Sequence, residues 1–95
     1  MPGPNVFLWY SLGMKTPKGW TLEENELVRE FRFSDFKEAF AFMTKVAKVA
    51  EEMNHHPNWS NVYYTVVVRL STHDKGGVTE KDIKLAEEMN RLAGK

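Results

Sequence analysis

All three histidines of the 95-residue chain lie in two short stretches of sequence. His55 and His56 stand side by side after a long amphipathic pattern, and His73 follows an apolar, β-branched segment. Both stretches come where a regular element ends, so these side chains are not needed inside a helix or a strand. Imidazole has an unperturbed pKa of about 6.5 and can give or take a proton near neutrality. The histidines therefore indicate a site for general acid–base chemistry.

A metal site and a nucleophile are the competing interpretations of these residues. Three histidines can hold zinc with an open fourth position, and Glu51 could assist from one helical turn before His55. However, the adjacent His55 and His56 tend to point to opposite sides of extended backbone, and no His-x₃-His spacing occurs. The chain has no cysteine, and neither Ser60 nor Ser71 stands in a Gly-x-Ser-x-Gly elbow. Acid–base chemistry remains the favoured interpretation.

Other side chains could orient the histidines or form the wall of a pocket. Asp74 and Asp82 are the available orienting carboxylates, and Asp82 also fits the third position of a helix capped by Thr79. Glu51 could fix a histidine tautomer, or it could simply belong to a solvated helix face. Trp59 is large enough to wall a pocket for a flat ring, although a place in the core explains it equally well.

Composition limits the class of protein. A chain of 95 residues forms one domain, and 42% hydrophobic residues are enough for a core. Thirteen basic residues balance thirteen acidic ones, which leaves no basic field for nucleic acid or an anionic membrane. The apolar stretch 6–12 is too short for a membrane span and lacks the basic segment of a signal peptide. The absence of cysteine fits a reducing compartment, and we expect a cytoplasmic protein.

The N-terminal third combines an irregular segment with two predicted strands. Residues 1–18 are rich in Pro and Gly and are predicted to form an irregular leader, whereas 19–95 form the single domain. Residues 20–22 are a candidate strand. The alternating pattern of residues 26–33 predicts a second strand, and residues 24–25 lie at a turn between the two.

A long amphipathic helix follows the second strand. Ser34 or Asp35 can cap it, with Glu38 completing a capping box if Asp35 is the cap. It is expected to end near Asn54, before Pro57. The predicted buried stripe consists of Phe36, Ala39, Phe40, Met43, Val46, Ala47 and Ala50.

The remaining chain predicts one or two strands and a second helix. Residues 61–71 alternate like a single long strand, although a tight reversal near Tyr63-Tyr64 fits the same pattern. The last helix begins after Thr79, with Asp82 at its third position and Val78 and Ile83 placed as a hydrophobic staple. Its buried stripe is predicted to be Ile83, Ala86, Met89 and Ala93, supported by Leu85 and Leu92.

The order of these elements predicts an α+β sandwich, in which helices cover one face of an antiparallel sheet. In such a layer the end of the long helix and the end of the following strand can lie at one rim. His55 and His56 would then face the segment that carries His73.

Several segments closely resemble the pterin-4a-carbinolamine dehydratases. They are residues 29–33, the predicted helix residues 36–51, and residues 51–59, 61–63, 70–74, 76–77 and 79–82. The resemblance covers about residues 19–93 and is specific, because the paired histidines, Trp59 and His73 all occur in register. It implies a four-stranded antiparallel sheet with helices packed on one face, which favours the reversal near Tyr63-Tyr64.

The resemblance also implies an activity and an assembly. Members of the family are hydro-lyases that remove water from 4a-hydroxytetrahydropterin, giving the quinonoid dihydropterin in recycling of tetrahydrobiopterin-type cofactors. They use no metal and no cofactor, and they are typically dimers or tetramers assembled through sheet edges and helices. Some animal members also stabilise dimers of a homeodomain transcription factor, and other relatives act as assembly factors. A protein-interaction module is therefore the alternative function. Residues 1–18 depart from the family, whose members usually begin with a helix.

Roles for individual residues follow from the same resemblance. His55 and His73 would be acids serving hydroxyls on opposite faces of the pterin, and His56 would bind the ring and act as base. The implied substrate-binding residues are Asn54, His55, His56, Ser71, Thr72, His73 and Asp74. Supporting residues are Glu51, Pro57, Trp59 and Asp82.

Overall fold

The computed structural model describes residues 15–95, so the predicted leader lies outside the described part except for residues 15–18. The described chain contains four strands, two α-helices and one 3₁₀ turn. They are β1 (Thr21–Glu23), β2 (Glu26–Arg32), α1 (Phe36–Met53), β3 (Asn58–Val62), β4 (Thr65–Leu70), the 3₁₀ turn (His73–Lys75) and α2 (Glu80–Ala93).

The four strands form one antiparallel sheet in the order β1-β2-β4-β3. The two helices pack against each other and against the central strands β2 and β4. Inward residues of β4 alternate with half-buried ones, so that Val66, Val68 and Leu70 are buried with Leu27 and Phe31 of β2. The predicted α+β fold, a four-stranded sheet with helices on one face, is confirmed.

The first hairpin has the predicted turn. Glu24 and Asn25 connect β1 to β2 with φ values of 49° and 68°, and Glu23 pairs with Glu26 on either side of them. Positive φ at both central residues is the type I′ pattern, whose twist matches that of paired strands. The first strand begins one residue later than predicted, because Trp20 N donates to Pro17 O at 3.1 Å in the turn that precedes it.

The prediction of one long strand over residues 61–71 is wrong, and the alternative reversal is correct. Tyr63 and Tyr64 form a two-residue loop between Val62 and Thr65, which pair with each other. Tyr63 has φ 51°, a conformation that a bulky residue adopts only when its surroundings hold it there. The Asn61 amide donates to Tyr63 O at 3.0 Å and to Thr65 O at 2.9 Å, which stabilises the reversal without glycine.

Asp35 caps α1, and its side chain accepts a hydrogen bond from Glu38 N at 2.8 Å. The Glu38 carboxylate accepts from Ser34 N, one residue earlier than a capping box requires. The buried stripe differs from the predicted one. It consists of Ala39, Phe42, Val46 and Ala50, with Met43 half-buried.

Two large members of the predicted stripe of α1 are exposed. Phe36 and Phe40 are 47% and 55% exposed, and their rings lie 5.7 Å apart. Ala47 is exposed as well. The helix has two adjoining apolar faces, and only the one that includes Phe42 covers the sheet.

Helix α2 begins with the predicted capping box. Thr79 accepts through its side chain, and Asp82 at the third position accepts from Thr79 N. Val78 and Ile83, predicted as a staple, are both in the core. Its other buried residues are Leu85, Ala86 and Met89, with Leu92 and Ala93 half-buried. Across residues 15–95 the structure has no helix long and apolar enough to span a membrane.

A polar cluster ties the start of the described chain to the end of α2. Asn90 Oδ1 accepts from Trp20 Nε1 at 2.8 Å and from Arg29 Nη1 at 2.6 Å, and Asn90 Nδ2 donates to Lys18 O at 2.9 Å. The Arg29 guanidinium also lies over the Phe31 ring at 4.4 Å. Its partial burial lowers the pKa of Arg29.

Candidate active site

The histidine pair is placed by the end of α1. Asn54 is in the left-handed conformation, with φ 52°. Asn54 N donates to Glu51 O at 3.1 Å and His55 N donates to Ala50 O at 3.0 Å, which is the hydrogen-bond pattern of a Schellman motif. Asparagine tolerates this conformation better than most residues. The helix therefore ends where predicted, and the chain turns sharply just before the two imidazoles.

His55 contacts a buried carboxylate on the other helix. Its Nε2 lies 2.5 Å from Asp82 Oδ1. The two side chains are 11% and 0% exposed. Asp82, a predicted supporting residue, thus has two roles, because it caps α2 and holds the imidazole that follows α1.

The second oxygen of the Asp82 carboxylate contacts Thr72, which follows β4. Asp82 Oδ2 accepts from Thr72 Oγ1 at 2.8 Å and from Thr79 N at 2.9 Å. The Thr72 and Thr79 hydroxyl oxygens are also 2.8 Å apart. Thr72 was predicted to bind substrate, but its residue is 8% exposed and its hydroxyl contacts these two residues. The Thr72 hydroxyl thus contacts the Asp82 oxygen that His55 does not contact.

His56 contacts a different carboxylate. Its Nε2 lies 2.5 Å from Glu51 Oε2, and the two side chains are 56% and 77% exposed. Adjacent imidazoles thus reach separate acidic residues, one buried and one in solvent. An ion pair between exposed groups is weak because water screens both charges, so Glu51 restrains His56 far less than Asp82 restrains His55.

His73 opens the 3₁₀ turn that follows β4. This turn is closed by a bridge in which Thr72 N donates to Gly77 O at 2.9 Å. His73 and Asp74 are exposed, and Ser71 is half-buried. Thr72 connects the two halves of the candidate site, because its side chain contacts the Asp82 network while its neighbour His73 faces solvent.

The sheet brings both histidine segments to one rim. Asn58 at the start of β3 pairs with Arg69 near the end of β4. The segment that precedes β3 and the segment that follows β4 therefore lie at the same end of neighbouring antiparallel strands. Pro57 and Trp59 are half-buried, and Trp59 packs against the core. The predicted convergence of the two segments agrees with this topology.

The described residues offer no alternative metal centre. Within residues 15–95 no group of three His, Asp or Glu side chains is arranged to hold a metal ion. The chemistry available at the rim is that of imidazoles, carboxylates and hydroxyls. Such groups can deliver and accept protons to and from a bound molecule.

Two residues of the network were not assigned to the site from the sequence. Thr79 was predicted only as a helix cap, yet its hydroxyl lies 2.8 Å from Thr72 Oγ1. Gly77 lies in a segment that carries the family resemblance but was given no role, yet it is buried and accepts the hydrogen bond from Thr72 N. The capping pattern around Thr79 was the available signal, since a capping carboxylate has a second oxygen for another partner.

The geometry defines an α+β protein with an imidazole–carboxylate site at one rim of an antiparallel sheet. Comparison with known proteins gives the family. The profile described as "Pterin 4 alpha carbinolamine dehydratase" matches residues 10–92, so the chain belongs to the pterin 4 alpha carbinolamine dehydratase family.

Individual relatives agree with this assignment. A Prochlorococcus marinus (strain MIT 9515) protein, provisionally named a pterin-4-alpha-carbinolamine dehydratase, is 57% identical over 78% of this chain and 77% of its own length. The similarly named protein of strain MIT 9313 is 56% identical over 86% of this chain and 84% of its own.

Two solved structures are also similar. A Brucella melitensis protein described as a transcriptional coactivator/pterin dehydratase has a TM-score of 0.80 at 47% identity, covering 81% of this chain and 84% of that one. A pterin dehydratase-like protein described as a RuBisCO assembly factor in the alpha-carboxysome has a TM-score of 0.66 at 25% identity, covering 79% and 87%.

Proposed function

We propose that this protein dehydrates 4a-hydroxytetrahydropterin to the quinonoid dihydropterin and water. The observation that carries the proposal is the buried contact between His55 and Asp82, at the rim where the His73 segment also emerges. Family membership supports the same reaction. The reaction would serve recycling of a tetrahydrobiopterin-type cofactor, and a cytoplasmic location remains a prediction.

The reaction needs two proton transfers. One proton goes to the 4a-hydroxyl, so that the C4a–O bond breaks and its electron pair leaves with water. The second proton is lost from a ring nitrogen, whose electrons form the new C=N bond. In our proposal His55 and His73 supply the first proton, each to a hydroxyl on one face of the ring, and His56 binds the ring and accepts the second.

The surroundings of the histidines suit these different tasks. His55 is held by a carboxylate that is itself buried, which favours an imidazole kept in one orientation. His56 and His73 are exposed and can meet a ligand arriving from solvent. In this proposal the backbone and side chains of Asn54, Ser71 and Asp74 line the site. Trp59 supports it from the core.

Stopped-flow spectroscopy tests the activity directly. Chemically generated 4a-hydroxytetrahydropterin decays spontaneously in buffer, and addition of this protein is expected to accelerate the decay in proportion to its concentration. A decay rate equal to that of buffer, from protein that is folded by circular dichroism, would refute the proposal.

We also propose that the protein forms a homodimer or homotetramer. The second apolar face of α1 presents Phe36 and Phe40, and the turn between β3 and β4 presents Val62 and Tyr63, which are 75% and 61% exposed. Large apolar side chains grouped in this way are typical of protein–protein contacts. The double substitution Phe36→Ser/Phe40→Ser is expected to lower the mass measured by sedimentation equilibrium. An unchanged mass would exclude this helix face as the contact.

The alternative function, binding of a different protein, rests on the same exposed face and on the roles described for the two solved relatives, a transcriptional coactivator and a RuBisCO assembly factor. A stoichiometric partner whose binding survives His55→Ala and His73→Ala, but is lost in Phe36→Ser/Phe40→Ser, would support it. A partner lost in the histidine variants would instead connect binding to the pterin site.

A further inference from the structure

The distances around Asp82 identify which atom donates the proton in each hydrogen bond. An ionised carboxylate only accepts hydrogen bonds, and each threonine hydroxyl has one proton to donate. Thr72 Oγ1 lies 2.8 Å from both Asp82 Oδ2 and Thr79 Oγ1. Both contacts are hydrogen bonds only if Thr72 donates to Asp82 and accepts from Thr79. Thr79 can supply that proton, since its oxygen lies 3.5 Å from Asp82 Oδ2, beyond the usual O–H···O range.

The other oxygen of the Asp82 carboxylate contacts His55. Asp82 Oδ2 already accepts from Thr72 and from Thr79 N, while Oδ1 faces the Nε2 of His55 at 2.5 Å. Because an ionised carboxylate has no proton to donate, the contact between Oδ1 and Nε2 is a hydrogen bond only if the ring nitrogen carries the proton. His55 Nε2 is therefore a hydrogen-bond donor to Asp82 in both the neutral and the charged ring.

We propose that Asp82, oriented by Thr72 and Thr79, fixes His55 as the Nε2–H tautomer, so that Nδ1 is the atom that exchanges protons with the substrate. Asp82, Thr72 and Thr79 are positioning residues in this account. They act through His55 and do not touch the pterin. This inference rests on the proposed dehydratase function for its catalytic consequence, but the tautomer itself can be observed without turnover.

His56 provides an internal contrast. Its Nε2 also faces a carboxylate oxygen at 2.5 Å, but both side chains are largely exposed. Water can replace Glu51 at His56, whereas the buried Asp82 at His55 has no such substitute. The fixed tautomer is therefore expected at His55 and not at His56.

Nuclear magnetic resonance of the ¹⁵N-labelled full chain tests the tautomer. Long-range ¹H–¹⁵N spectra distinguish a protonated ring nitrogen from a bare one, and His55→Gln identifies the His55 signals. In the neutral ring of His55, Nε2 is expected to carry the proton and Nδ1 to be bare. A neutral ring with its proton on Nδ1 would overturn the proposal.

The substitution Asp82→Asn is predicted to give the opposite tautomer of His55. Thr79 N and the Thr72 hydroxyl still need an acceptor, so the amide oxygen should face them and the NH₂ group should face His55. Nε2 must then accept, and the neutral ring should change to the Nδ1–H tautomer. An unchanged tautomer in folded Asp82→Asn would contradict the account. If this variant does not fold, the spectrum of the wild-type protein still shows which nitrogen of His55 carries the proton.

Activity measurements test the role of the threonine. Thr72→Val removes the hydroxyl at nearly constant volume and is expected to lower kcat by about 10-fold or more with little change in KM, the size of effect found when a residue that orients a metal-bound histidine is removed. Thr72→Ser should restore most of the rate. Thr44→Val, which removes a hydroxyl that donates to Phe40 O on α1, serves as the control. Equal rates in Thr72→Val and Thr44→Val would contradict the positioning role. A wild-type protein with the Nε2–H tautomer but no dehydratase activity would refute the proposed function and leave the tautomer assignment intact.

Discussion

His55 and Asp82 are 27 positions apart in sequence, yet His55 Nε2 and Asp82 Oδ1 lie 2.5 Å apart. This contact joins the end of α1 to the first turn of α2. Because Asp82 also accepts from Thr72 after β4, a single carboxylate connects three segments of the rim. Its position explains how a small domain can hold an imidazole in a fixed orientation beside solvent.

Substitution of the two proposed acids should separate the two faces of the substrate. His55→Ala and His73→Ala are each expected to slow dehydration by about 10²-fold or more, since each removes a general acid. Each variant should mainly affect one epimer of the 4a-hydroxyl. Stopped-flow decay of the separated epimers measures this. Equal losses for both epimers in both variants would contradict the division of roles.

Removal of the buried carboxylate should destabilise the fold far more than removal of the exposed one. Asp82→Ala leaves the His55 ring, the Thr72 hydroxyl and Thr79 N without their acceptor, and each buried polar group left unpaired costs about 1–3 kcal/mol. Glu51→Ala breaks only an exposed pair, worth about 0–1 kcal/mol. Urea unfolding of both variants measures the difference, and similar losses would show that Asp82 is not a structural link.

The contact between Gly19 and Arg29 gives a third prediction. A Cβ at residue 19 would lie 2.6 Å from Arg29 Cζ, whereas a Cβ at Gly76 would meet nothing within 4 Å. Both glycines have positive φ, 85° and 73°, so alanine costs backbone strain at either site. Gly19→Ala should lower the free energy of unfolding by about 1–3 kcal/mol more than Gly76→Ala does, because it also displaces the Arg29 guanidinium from Asn90. Equal unfolding free energies in urea would rule out this clash.

The loop between β3 and β4 should depend on the Asn61 amide. Asn61→Ala removes two hydrogen bonds to loop and strand carbonyls and is expected to cost about 1 kcal/mol. The matched control is Asn58→Ala, an exposed position of the same strand, where a change within about 0.5 kcal/mol is expected. Thermal unfolding compares them, and no difference between the two variants would contradict this explanation of the turn.

The sequence predicted most of the fold because its periodicity and capping residues are clear. Thr79 and Asp82 predicted the start of α2, and Asn54 predicted the end of α1. The reversal at Tyr63 was ambiguous because no glycine stands there. What stabilises it is the side chain of Asn61, which reaches two carbonyls, and such a contact leaves no periodic signal.

The candidate site was only partly predictable for a similar reason. The positions of the three histidines indicated acid–base chemistry, but their partners depend on tertiary contacts. A capping residue such as Asp82 looks the same in sequence whether its second oxygen meets water or His55. The two apolar faces of α1 were also merged into one predicted stripe, because Phe36 and Phe40 recur at the same spacings of three and four residues as the buried side chains.

The most direct measurement is a crystal structure of this protein soaked with a dihydropterin. Our account predicts one ring bound at the rim, with His55, His56 and His73 all in contact with it and with Asp82 still on Nε2 of His55. A pterin bound elsewhere, or one that leaves His55 and His73 without contact to the ring, would contradict the claim that these histidines form a single catalytic site.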